Sequence, residues 1–354
     1  MTMVLKKDLE KLLHEGTVIP AHPLALNEFR ELDEKRQRAL TRYYMDAGAG
    51  GLAVGVHTTQ FQIREKGLYE KVLTLAADEA EKRAKGNFLK IAGICGHTKQ
   101  AINEAETALR LGYHLVLVSL GGLNSFGENE LLAHVREIAS ILPVFGFYLQ
   151  PAVGGRTLSY SFWREFAEIP NVMAIKTAPF NRYQTLDVVR AVCESFRNER
   201  IALYTGNDDN ILLDLLTTYE FQVNGRKVVK SFSGGLLGHW AVWTKNAVQL
   251  LERVKEIKRL NRGIPEELLT LAMQITDANA AFFDAANGFK GSIPGIHEVL
   301  RRQGLLSGVW CLDEGEILSP GQKEEIDRVL RAYPQLNDDA FVKEKIGSWL
   351  QKVT

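Results

Sequence analysis

The stretch NVMAIKTAPF, residues 171–180, decides the fold: it reads as a buried β-strand that carries a lysine, Lys176, near its downstream end. About 28 residues earlier, a spacing that suits a strand–helix–strand unit, PVFGFYLQP repeats the apolar pattern and ends on Tyr148. Side chains alternate between the two faces of a strand, so Lys176 is expected to share a face with Val172, Ala174 and Ala178, and Tyr148 with Val144 and Gly146. The bulkier Phe145, Phe147, Leu149, Met173 and Ile175 fall on the opposite faces and are expected against helices. This alternation predicts that the amine and the phenol point inward together, above small residues.

Outward from that pair the pattern repeats. Apolar segments GTVIPAHPL (16–24), GLAVGVHTT (51–59), FLKIAGICG (88–96), YHLVLVSL (113–120), IALYTGND (201–208) and KVVKSFSGG (227–235) complete eight strand candidates. Between them, DEKRQRALTRYYMDAG, TKQAINEAETALRLG and YQTLDVVRAVCESF return apolar residues every three or four positions, as amphipathic helices do. Gly112 and Gly48 or Gly50 stand where left-handed residues close such helices. Alternation at roughly 30-residue spacing predicts an α/β fold, a (β/α)8 TIM barrel. The competing open doubly wound sheet would carry a glycine fingerprint after its first strand, and GTVIPAHPLAL has none.

Residues 1–240 are therefore expected to form the barrel with a short N-terminal helix, and 241–354 a helical extension packed on the barrel or on a partner subunit. In the extension, AVWTKNAVQLLERVKEIKRL, PEELLTLAMQITDANAAFFDAA, GIHEVLRRQGLL and NDDAFVKEKIGSWLQKV have helical periodicity, and in SPGQKEEIDRVLRAY Ser319 is a candidate cap with Pro320 at the first helical position.

Lys plus Arg equals Asp plus Glu at 43 each, which leaves no basic excess to hold nucleic acid or an anionic membrane. The N-terminal MTMVLKKDLEKLLHEG lacks the apolar core and cleavage site of a signal peptide, and no apolar run has the roughly 18 residues of a membrane span. Cys95, Cys193 and Cys311 show no metal or redox spacing, which suits ordinary buried thiols in a reducing cytoplasm. A small molecule is the expected partner.

A lysine of ordinary pKa is neutral in only about one molecule in a few thousand at pH 7 and is a poor nucleophile. Desolvation disfavours the ammonium and frees the lone pair to attack a carbonyl, giving an imine that serves as an electron sink. A nearby phenol can carry protons through the steps. The same two residues also admit a structural role, with Lys176 extending its stem past the rim to a loop carboxylate and Tyr148 serving as a core aromatic.

FYLQPAVGGRTLS and MAIKTA resemble two motifs of the dihydrodipicolinate synthase and N-acetylneuraminate lyase family of class I aldolases and dehydratases. In that family a tyrosine ends the fifth strand and the Schiff-base lysine ends the sixth; the matching residues here are Tyr148 and Lys176, and the resemblance runs over roughly residues 16–305. It implies a lyase that acts on a 2-oxo acid such as pyruvate or a deoxy sugar acid, with no dissociable cofactor and no metal, as a cytoplasmic homodimer or homotetramer. Where the family carries Gly-Thr-Thr-Gly-Glu after the second strand, this chain has GVHTTQF: His57 or Thr58 falls at the relay threonine's place, with His57 expected to take over proton transfer or carboxylate binding and Thr58 or Thr59 to hold the carboxylate, and Gln60 replaces the acid. The paired tyrosines after the fourth strand are absent from SLGGLNSFGEN. Arg156 is a carboxylate clamp or a solvated loop residue, Asn207 and Asp208 bind substrate hydroxyls or cap the next helix, and Gly234 lets backbone approach a ligand.

His22, His57 and His97 each follow one of the first three strands, and three imidazoles at one mouth would hold a metal for a metal-dependent lyase or hydrolase. A barrel that only binds a 2-oxo acid is the other alternative.

Overall fold

Strands that are closed to water on both faces need helices on one side and packed side chains on the other, and the strands of the eight-stranded sheet are largely of that kind. The computed structural model describes residues 3–261 and 263–351. Its strands are β1 (Val18–Pro20), β2 (Gly51–Val54), β3 (Leu89–Ile94), β4 (Leu115–Val118), β5 (Val144–Leu149), β6 (Val172–Ala178), β7 (Ala202–Thr205), β8 (Tyr219–Val223), β9 (Arg226–Lys230) and β10 (Phe232–Leu237). Eight of them form one parallel sheet in the order β1–β10–β7–β6–β5–β4–β3–β2, and the bridge between Ala21 and Ala53 joins the two ends of that order. The fold is a (β/α)8 barrel with helices following its strands. No helix among the described residues is long and apolar enough to cross a membrane.

Local chemistry sets the helix ends. Asp33 accepts from the Arg36 amide to start the helix Glu34–Ala47, and Gly48, at φ 96°, ends it. Asn181 does the same for Arg182–Cys193 by accepting from Gln184 N. Near the C-terminus the expected cap is not used: the helix Gln322–Ala332 starts after Gly321, and the Ser319 hydroxyl donates to Asp284 instead. Residues 1, 2, 352 and 353 of the expected terminal helices lie outside the described residues.

The eighth barrel strand also differs from expectation. KVV belongs to β9, which pairs antiparallel with β8 as a separate two-stranded hairpin, and the barrel strand proper begins at Phe232. Asn224 and Gly225, at φ 50° and 76°, form its turn, the Asn-Gly signal for a two-residue hairpin loop.

The chain divides into two compact units, Met1–Thr17 with Leu89–Leu236, and Val18–Phe88 with Leu237–Thr354. In the first, Tyr204 of β7 donates to the carbonyl of Leu13 in the helix Lys7–Glu15. In the second, Arg42 donates to both carboxylate oxygens of Glu79 and to the carbonyl of Trp349, which ties the last helix, Asp339–Trp349, to Glu34–Ala47. Tyr43 and Trp349 reinforce that contact by donating to Asp338 and Asp46.

Gly234 is a packing requirement: a Cβ there would stand 2.3 Å from the carbonyl oxygen of Thr17. Gly234→Ala is expected to lower stability by about 1–3 kcal/mol, the usual cost of forcing a backbone shift. Chemical denaturation would register this as a lower midpoint at unchanged slope.

Candidate active site

Lys176 lies near the downstream end of β6, buried and only 8% exposed. Burial pulls its pKa down from 10.5 to about 8, with the negative charge of Asp208 opposing part of that fall. The segment just after β7 is shaped around its stem: a Cβ on Gly206 would meet Lys176 Cε at 2.5 Å and Cγ at 2.9 Å. Only a glycine lets the lysine lie flat against that turn. At pH 7 an amine of pKa about 8 is neutral in about one molecule in ten. That is the reactivity the sequence pattern calls for.

Tyr148 is not where alternation puts it. Val144 pairs with Val172, but the register then shifts, and Phe145 pairs with Ala174 because Met173 is an additional residue on β6. From there on, Phe147 faces Lys176 and Tyr148 faces Thr177. A slip of one residue exchanges the faces of a strand. Phe147 and Lys176 therefore share a face with Tyr204, and the lysine Nζ stands 4.4 Å from the centroid of the Phe147 ring. Gly146 and Tyr148 turn to the helices instead: a Cβ on Gly146 would touch the Phe166 ring, and the Tyr148 ring packs on Trp163 at 5.0 Å. Both aromatics belong to the helix Tyr160–Phe166. The Tyr148 hydroxyl accepts from the amide of Leu158 and donates to its carbonyl, so the phenol latches the loop after β5.

Asn207 is likewise spent on structure. Its carbonyl accepts from Phe180 N, and its amide donates to Thr185 Oγ1 and to Asp214 Oδ2. Asp214, fully buried in the helix Ile211–Leu216, also accepts from Thr205 Oγ1 and pairs with Arg182. This network fixes the turn that presents Gly206 and Asp208. Arg156 is half-buried and uses one terminal nitrogen to hold the carbonyls of Leu123 and Phe126 at 3.0 Å each, bracing that loop.

The Dihydrodipicolinate synthetase family profile matches residues 15–219. The chain belongs to this family. It is 27% identical over 196 residues to N-acetylneuraminate lyase 2 of Escherichia coli O6:H1, a match that takes in 54% of this chain and 61% of that protein. It is 28% identical over 226 residues to 4-hydroxy-tetrahydrodipicolinate synthase of Desulforudis audaxviator, covering 63% and 71%. The chain thus spans about three fifths of the first relative's length. Among solved structures, dihydrodipicolinate synthase from Oceanobacillus iheyensis superposes with a TM-score of 0.74 at 17% identity, over 93% of this chain and 100% of the other. That likeness is one of fold.

At the turn after β2, where this member of the family carries GVHTTQF, His57, Thr58 and Thr59 form one 3-10 turn. The Thr59 hydroxyl is engaged three ways, donating to the His22 carbonyl and accepting from Gly55 N and Val56 N, which makes it a backbone lock. Thr58 keeps a longer bond of 3.4 Å to the same carbonyl, and His57 packs against Phe61. Gln60, in the left-handed region at φ 68°, accepts from Leu312 N.

The histidines are not a metal set. His22 is fully buried, its Nε2 against Thr41 Oγ1 and its Nδ1 against Gln37 and Pro23, and burial lowers its pKa to about 4. Both ring nitrogens are occupied by protein. His97 precedes the helix Thr98–Arg110 with its ring against Phe126. Among the described residues no three His, Cys, Asp or Glu side chains are grouped to hold a metal.

Sequence reasoning passed over Phe147, Gly206 and Asp214. Gly206 had a signal in the GNDD segment; the other two depend on register and tertiary placement. Labelling with an amine-reactive reagent, followed by peptide mass mapping, is expected to show Lys176 reactivity rising through pH 8, more than two units below exposed lysines of about 10.4.

Proposed function

We propose that the protein is a Schiff-base-forming lyase that acts on a 2-oxo acid such as pyruvate or a deoxy sugar acid. The observation that carries this reading is the buried amine of Lys176, its pKa lowered to about 8, at the end of β6 in a chain of the Dihydrodipicolinate synthetase family. The names of two relatives, an N-acetylneuraminate lyase and a 4-hydroxy-tetrahydrodipicolinate synthase, support it.

In this mechanism Asp208, the carboxylate whose charge acts on Lys176, takes the ammonium proton. The neutral amine attacks the ketone carbon: the C–N bond forms, the carbonyl π bond breaks, and a proton passes from nitrogen to oxygen. Asp208 returns its proton to that oxygen, the C–O bond breaks, and water leaves as the nitrogen lone pair closes the iminium. The iminium then takes up the pair of a neighbouring carbon–carbon bond, the β-hydroxyl losing its proton to the Asp208 carboxylate as that fragment leaves as a carbonyl compound; or it takes the pair of an adjacent C–H bond whose proton goes to Asp208, and the enamine so formed expels the β-hydroxyl, which leaves as water with that proton. This route calls for no dissociable cofactor. Tyr148 is not given the proton-shuttle role, because its hydroxyl is committed to Leu158.

Incubation with pyruvate under borohydride, followed by peptide mapping, is expected to reduce the imine irreversibly onto the peptide that carries Lys176. The adduct should vanish in Lys176→Ala. Label on another lysine, or none with any 2-oxo acid tried, would refute the reading.

A further inference from the structure

The register shift leaves an aromatic face, not a phenol, beside the reacting nitrogen. Lys176 Nζ sits 4.4 Å from the centroid of the buried Phe147 ring, well inside the distance at which a cation is drawn to a π face. The other elements around the amine add little positive attraction of this kind. Tyr204, its partner on β7, spends its hydroxyl on Leu13; Gly206 has no side chain; Asp208 supplies the one opposing charge that acts on it.

We infer that Phe147 is a catalytic residue whose ring face stabilises the cation on Lys176, first as ammonium and then as iminium. The inference rests on the imine reading of the site. The ring forms no bond; it holds positive charge at one place while that charge passes from an N–H bond to the C=N unit. A leucine of similar bulk would keep the wall dry and lose the quadrupole. A tyrosine would keep the face.

Because ammonium and iminium are both cations, the ring favours them alike. Below the pKa of the amine its contribution cancels between reactant and product. Above it, where the amine begins neutral, the full effect appears in imine formation. A residue that merely maintained packing would act equally at both pH values.

The test uses the whole protein and three variants, Phe147→Leu, Phe147→Tyr and Tyr148→Phe. The pKa of Lys176 is read without substrate from the pH dependence of amine labelling, and the pyruvate concentration for half-maximal borohydride trapping is read at about pH 6 and about pH 9. Phe147→Leu is expected to lower the pKa by about half a unit to one unit, and to raise the pyruvate requirement by about the same factor, roughly three- to ten-fold, at the higher pH with little change at the lower. Phe147→Tyr should restore both, and Tyr148→Phe should move neither while lowering the melting temperature.

A pKa that holds or climbs toward 10.5 in Phe147→Leu, as water entry would cause, overturns the inference. So does loss of trapping in Tyr148→Phe with the pKa intact. If the unmodified protein takes no label from pyruvate, the imine reading fails, and the substrate-free pKa still decides whether the ring holds the cation.

Discussion

A primary ammonium removed from water at the end of a barrel strand is held in its charged form only by what surrounds it. In this protein those surroundings are one carboxylate, Asp208, and one aromatic face, Phe147. Burial pushes the amine toward neutrality and the charge of Asp208 pushes back, so its pKa settles at about 8. Neither a fully solvated lysine nor a tightly ion-paired one would have that property. The chemistry attributed to the fold follows from this balance.

Much of the neighbouring structure serves to hold it. Gly206 clears space for the stem, and the Asp214 network with Thr205, Asn207 and Arg182 fixes the turn that carries Gly206 and Asp208. On the other side, the extra residue Met173 sets the register that brings Phe147 to the amine, and Tyr148, turned outward, pins the loop after β5 through Leu158. Hydrogen bonds among buried groups stiffen the turn they join. A stiff frame keeps the amine and its two partners in one geometry.

The barrel was legible because it rests on a repeat: apolar strands and amphipathic helices alternating, with glycines such as Gly48 and Gly112 at helix ends, survive any local irregularity. The burial of Lys176 was legible for the same reason, since a lysine inside an apolar strand has few places to go. Its neighbour was not legible. Strict alternation assumes an unbroken ladder, and one added residue at Met173 exchanges Phe147 for Tyr148 without any mark in composition. The hairpin β8–β9 did carry a mark in Asn224-Gly225, but KVVK fits the barrel period closely enough to be assigned to the eighth strand. The hydrogen bonds that commit Thr59 and Asn207 were not legible either, because their partners, His22 and Asp214 among them, are known only once the chain is folded.

The most direct measurement is a crystal structure of the protein after borohydride reduction with pyruvate. The account predicts continuous density from the Lys176 nitrogen into the reduced adduct, with that nitrogen over the Phe147 ring and the Tyr148 hydroxyl still bonded to Leu158. Density joining the adduct to a different lysine, or a regular β5–β6 ladder that brings the Tyr148 phenol to the adduct, would contradict it.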